Sequence, residues 1–134
     1  MDSPIIEDDN APDAVVKPSS IEGWGLFAGR NFAVGETIID YNLFQDGWYK
    51  LKYTDLTEEQ IRKSWYVMID NEWCVTCDRW SKFSYINHSR NPNCLWLLQD
   101  RLVVASVDIP EGEELFIDYR LEPRPTRTEY PSWV

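Results

Sequence analysis

A chain of 134 residues holds one compact domain and little more. Hydrophobic residues make up 43%, and seven Trp and seven Tyr supply large apolar surfaces, so a genuine core is within reach. The formal charge of −10 argues against direct nucleic-acid binding, since phosphates would be repelled, and suits a basic partner such as a Lys/Arg-rich protein tail.

Residues 1–13 carry Asp2, Glu7, Asp8, Asp9 and Asp13, are interrupted by prolines, and have few apolar groups, which predicts a flexible acidic lead-in. The domain proper is expected over 14–120. Val15 and Val16 open a first strand, and Gly23-Trp24-Gly25 imposes a tight backbone path before Leu26-Phe27-Ala28. Residues 37–41 read as a strand rich in β-branched side chains. Thr57-Glu58-Glu59-Gln60 has the form of a capping box, with a short helix ending near Ser64. Residues 65–69 and 72–76 predict two strands around the turn Asp70-Asn71, and 95–98 with 102–106 a second hairpin around Gln99-Asp100-Arg101. Pro110-Glu111-Gly112 is a turn, 113–119 a final strand, and 121–134 a tail bearing Tyr130 and Trp133. The expected class is mainly β with short helices.

No stretch approaches the roughly 18–20 apolar residues of a membrane helix, so no membrane partner is expected. The acidic N-terminus is unlike an export signal and the cysteines number three, which predicts free thiols in an intracellular, reducing compartment. Cys74-Val75-Thr76-Cys77 has the spacing of a zinc or redox pair, but a second pair is missing and a strand places the two thiols on opposite faces, so no metal is expected.

Three segments carry the chemistry: Gly23-Trp24-Gly25, then Asn87-His88-Ser89-Arg90-Asn91-Pro92-Asn93, then Gly112-Glu113-Glu114-Leu115-Phe116-Ile117-Asp118-Tyr119. Singly they have ordinary explanations: a glycine turn, a polar turn held by side-chain-to-backbone hydrogen bonds, an edge strand. Together, in this order, they resemble the SET-domain family, from about Val15 to Tyr119.

That resemblance implies small curved sheets around a C-terminal pseudo-knot, in which the last strand passes under a preceding loop. It implies an S-adenosylmethionine-dependent protein-lysine methyltransferase, releasing S-adenosylhomocysteine, whose substrate is a basic protein such as a histone tail. By the same resemblance Gly23, Trp24, Gly25, Asn87 and His88 hold the cofactor, His88 through its backbone, while Tyr119 lies at the reacting centre. Tyr41 matches a second pocket tyrosine of the family, with a buried strand aromatic as its alternative. Ile117, Tyr85, Tyr130 and Trp133 are expected around the lysine. The alternative from another class is a SET-fold module that holds cofactor or peptide with little turnover.

Departures from the family pattern matter too. Many histone-directed members have a cysteine where this chain has Arg90, and a Cys-x-Cys tail that completes a zinc site; no cysteine follows Cys94. Tyr130 and Trp133, or a partner copy in a homodimer, are expected to close that side. Strand parity puts Leu115, Ile117 and Tyr119 on one face. Ile117 stands where the family usually has Phe or Tyr, which implies room for di- or trimethylation.

Overall fold

The computed structural model describes residues 4–7, 9–21, 23–41, 48–63 and 65–123. Tyr130 and Trp133 lie outside the described residues. The described strands form four small sheets with one short α-helix and three 3₁₀ turns. β1 (Ala14–Pro18) and β2 (Trp24–Ala28) make an antiparallel pair. β3 (Thr37–Asp40), β8 (Cys94–Leu97) and β9 (Leu102–Ala105) form a second sheet in the order β3-β9-β8. β4 (Tyr49–Lys52), β5 (Tyr66–Met68) and β6 (Trp73–Thr76) form a third, with β6 central. β7 (Asn87–His88) and β10 (Phe116–Ile117) are paired parallel.

Local sequence accounts for several of these elements. Helix α1 (Glu58–Arg62) starts at the predicted capping box, in which the Gln60 amide donates to Thr57 Oγ1 at 3.1 Å and the Thr57 amide to Gln60 Oε1 at 2.8 Å. Two orphan N–H groups of the first turn are thereby satisfied. In β3 both Ile38 and Ile39 are buried, which strict alternation forbids; the register slips between Thr37 and Ile39, and that irregularity turns both inward. In central β6, Cys74 packs with Leu56 and Met68, whereas Val75 and Cys77 join the main core. The two thiols therefore sit in separate apolar clusters. Among the described residues no group of three or more His, Cys, Asp or Glu could hold a metal ion, and no helix is long and apolar enough to cross a membrane.

The final segment departs from a single strand over 113–119. Glu114 makes an isolated bridge to Phe27, only Phe116–Ile117 is strand, and Tyr119–Leu121 is a 3₁₀ turn begun by Asp118, whose side chain accepts from the Arg120 amide. The segment is enclosed on both sides. The Leu115 amide donates to the Leu26 carbonyl at 2.7 Å on the β2 side. β7 pairs with it further along, and on the opposite edge the Asn93 carboxamide donates to the Glu114 carbonyl at 2.9 Å and accepts from the Phe116 amide at 2.9 Å. A side chain thus stands in for a neighbouring strand, which lets so short a ladder persist.

Of the N-terminal lead-in, residues 5–7 and 9–13 make contacts near the 3₁₀ turn Lys82–Tyr85. Asn10 and Ala11 are buried, Lys82 Nζ donates to the carbonyls of Ala11 and Ala14 at 3.1 and 2.7 Å, and the Glu7 amide donates to the Trp80 carbonyl at 2.8 Å. Polar anchoring replaces the apolar groups that this stretch lacks.

Candidate functional site

Strand alternation in β2 sets the first wall of the site. The Ser19 amide bonds the Gly23 carbonyl, so odd-numbered carbonyls of this stretch face β1. The carbonyls of Leu26 and Ala28 face the other way and accept from the amides of Leu115 and Gly112. Trp24 continues that series, and its carbonyl accepts from Asn87 Nδ2 at 3.2 Å. Gly23 takes φ +49°, a left-handed conformation that side-chain-bearing residues rarely adopt. Gly25 has no room for a Cβ, because one would run into the Glu114 carboxylate.

Glu114 links the three motifs. Its carboxylate accepts from Asn87 Nδ2 at 2.9 Å and from Ser19 Oγ at 2.9 and 3.0 Å. Sequence reasoning passed over both Glu114 and Ser19. Glu114 stands inside a quoted motif, but nothing local shows that its partners are 95 and 27 residues away.

The parallel pairing sets Phe116 opposite Asn87 and Ile117 opposite His88, which carries Tyr119 to the same place. The Tyr119 amide donates to His88 Nδ1 at 2.9 Å, and its hydroxyl donates to the Ile86 carbonyl at 2.5 Å. The two rings lie 5.1 Å apart. Because Nδ1 is an acceptor, the imidazole is neutral with its proton on Nε2. Asp118, 3.8 Å from Nδ1, makes no hydrogen bond there; its carboxyl is pushed down to about 2, chiefly by its hydrogen bond from the Arg120 guanidinium. His88 is lowered below its ordinary 6.5, first by burial, with Asp118 and the Ile117 backbone opposing and Arg120 and Arg90 reinforcing.

A pH dependence follows. A histidine depressed in the folded state disfavours the protonated form, so its contribution is whole above about pH 6.5 and is lost as pH falls from there through the folded value. The melting temperature is expected to drop on acidification from pH 7 to 5, before most carboxylates protonate. His88 is the sole histidine, so its ring resonances can be followed by NMR without ambiguity. A titration midpoint at or above 6.5 would contradict the downward shift.

Tyr41 is 1% exposed, packs on Trp48 and Phe83 with ring centroids 5.3 and 4.6 Å away, and accepts from Trp96 Nε1 at 2.6 Å. Burial pushes its phenol well above the ordinary range. Tyr41 thus stands in the main core, its ring packed in the aromatic cluster and its hydroxyl oxygen accepting from Trp96. The Tyr85 hydroxyl bonds the backbone of Ile5, accepting from the amide at 2.9 Å and donating to the carbonyl at 2.6 Å. Ile117 is 1% exposed in the main core beside the site.

The SET-domain family model matches residues 23–120, most of the chain and all three motifs. The chain belongs to the SET-domain family. Among curated relatives, this SET domain is 28% identical over 120 residues to histone-lysine N-methyltransferase NSD3 of Mus musculus, covering 83% of this chain and 8% of that protein. It is 32% identical over 114 residues to histone-lysine N-methyltransferase SETD1B of Homo sapiens, covering 76% and 6%. The chain thus spans less than a tenth of the length of these relatives. Two solved structures share the fold. A Plasmodium falciparum protein assigned as a histone methyltransferase has a TM-score of 0.57 at 15% identity, covering 91% of this chain and 97% of that one. KRYPTONITE, in complex with mCHH DNA, an H3(1–15) peptide and SAH, has a TM-score of 0.53 at 23% identity, covering 78% and 22%.

Proposed function

We propose that this SET domain is a protein-lysine N-methyltransferase that uses S-adenosylmethionine and acts on a basic protein, with histone tails as the first class to test. The observation that carries the proposal is the β7–β10 pairing. It joins a cluster of acceptors to a tyrosine hydroxyl: the Trp24 carbonyl, the Asn87 carboxamide and the Glu114 carboxylate on one side, Tyr119 on the other. A cation-bearing cofactor fits such a set, since the Trp24 carbonyl and the Asn87 carboxamide oxygen can accept from an ammonium and the Glu114 carboxylate behind them adds negative charge. When bound, S-adenosylmethionine supplies an electrophilic methyl group. The names of the curated relatives and the peptide and SAH held by KRYPTONITE support the same reading.

The protein's own task is then alignment and exclusion of water. The attacking lysine must be neutral, against an ordinary pKa of about 10.4, and both a poorly solvated site and a nearby positive charge lower that value. A hydroxyl that donates to Ile86 can still accept from an amine N–H, which turns the amine lone pair toward the reacting carbon. The −10 charge favours approach of a basic tail. The tail 121–134 would cover the channel; at its start Glu122 accepts from the Met68 amide at 2.6 Å.

Methyl-labelled S-adenosylmethionine incubated with core histones and other lysine-rich proteins should transfer label to one of them. Cofactor binding without transfer to any would leave a binding module. Mass spectrometry of the same product tests its degree. With an aliphatic Ile117 next to the strand end that carries Tyr119, di- or trimethyl-lysine is expected in excess cofactor, and an accumulating monomethyl product would refute it.

A further inference from the structure

Asn87 has two N–H donors on Nδ2, and both are spent inside the protein, one on the Trp24 carbonyl and one on Glu114 Oε2. Both partners are pure acceptors, so the carboxamide cannot be turned over without setting its oxygen against two oxygens. Oδ1 is what remains for a ligand. The carboxylate that enforces this is itself immobilised. Its oxygens accept from Ser19 Oγ, its backbone carbonyl accepts from Asn93, and Gly25 leaves the space it fills.

We infer that Glu114 is a positioning residue of the cofactor seat, which holds the Asn87 carboxamide with Oδ1 outward so that the seat accepts an ammonium. The inference rests on the cofactor reading above and adds to it the cause of the seat's polarity. Ser19 acts one step further out, by holding the Glu114 carboxylate in place.

The test compares two ligands by calorimetry: S-adenosylhomocysteine, which carries the ammonium, and 5′-methylthioadenosine, which keeps the adenosine and thioether but lacks the amino-acid end. Glu114→Gln is nearly isosteric but offers a donor to Asn87 and frees the carboxamide to turn. It should weaken S-adenosylhomocysteine by about tenfold, as expected for a charged donor left without its acceptor, and leave 5′-methylthioadenosine within about twofold of the parent. Ser19→Ala should shift the same ratio in the same direction by less, and it supplies the measurement if the glutamine variant does not fold. Equal weakening of both ligands in either folded variant would mean a general structural role and overturn the inference, as would parent-like S-adenosylhomocysteine affinity in Glu114→Gln. A parent chain that binds neither ligand would instead overturn the cofactor reading itself, and the inference with it.

Discussion

Replacing Tyr119 with Phe is expected to cut methyl transfer by about 10²–10³-fold, the usual cost of losing one positioned hydrogen bond that acts in the transition state. The fold should persist, because the features that seat the residue are untouched. Its backbone amide still donates to His88 Nδ1, its ring still packs beside the imidazole, and the segment before it stays clamped by Asn93. The bond to the Ile86 carbonyl disappears, worth about 0.5–1.5 kcal/mol of stability. Affinity for S-adenosylhomocysteine should hardly change, since the groups proposed to hold it belong to β2, β7 and Glu114. Initial rates with a methyl-accepting substrate, read beside calorimetry and thermal melting, separate these effects. Unchanged turnover would place the chemistry elsewhere, and a collapse in melting temperature would mark the hydroxyl as structural.

The largest effect on stability is expected at Leu115. This side chain is fully buried in the main core, on the segment bonded to both β2 and β7. Truncation to Ala removes apolar contact from a place where both neighbours are pinned by backbone bonds, so the surroundings can relax only a little. A loss of about 2–5 kcal/mol follows, a large part of the roughly 5–15 kcal/mol that holds an ordinary domain together. Leu121, exposed at the end of the last 3₁₀ turn, is the matched control, and its change to Ala should cost no more than about 0.5 kcal/mol. Urea titrations of the two variants decide it. A Leu115→Ala midpoint close to the parent's would mean that the enclosed segment contributes little to the core. Because that segment also carries Glu114 and Tyr119, its loosening should weaken cofactor binding in step with stability.

Much of the architecture is legible in local sequence. The capping box at Thr57 and Gln60 forms as written, and the hairpins around 70–71 and 99–101 appear within a residue or two of their expected ends. These features rest on interactions between residues a few positions apart, where side-chain type and spacing carry the information. The final strand was less legible. Alternation correctly turns Leu115 and Ile117 inward. It does not reveal that the ladder stops after two residues, because the partner of Glu114 and Phe116 is a side chain, Asn93, rather than a third strand.

The same distinction divides the site. Three local motifs were enough to place the chain in its family, which the match over residues 23–120 bears out. The tertiary structure alone decided which neighbours each residue meets. Tyr41 goes into the core because Trp48, Phe83 and Trp96 converge on it from distant positions. Tyr85 faces Ile5, 80 residues earlier, because a nearly buried Lys82 anchors the acidic N-terminal segment beside it. Glu114 gathers Ser19, Gly25 and Asn87 because a C-terminal segment bonded to both β2 and β7 carries it to them. Hydrogen bonding and exclusion of water act over a few ångströms of space whatever the separation along the chain. Contacts of that kind therefore leave no periodicity or spacing for a sequence to display.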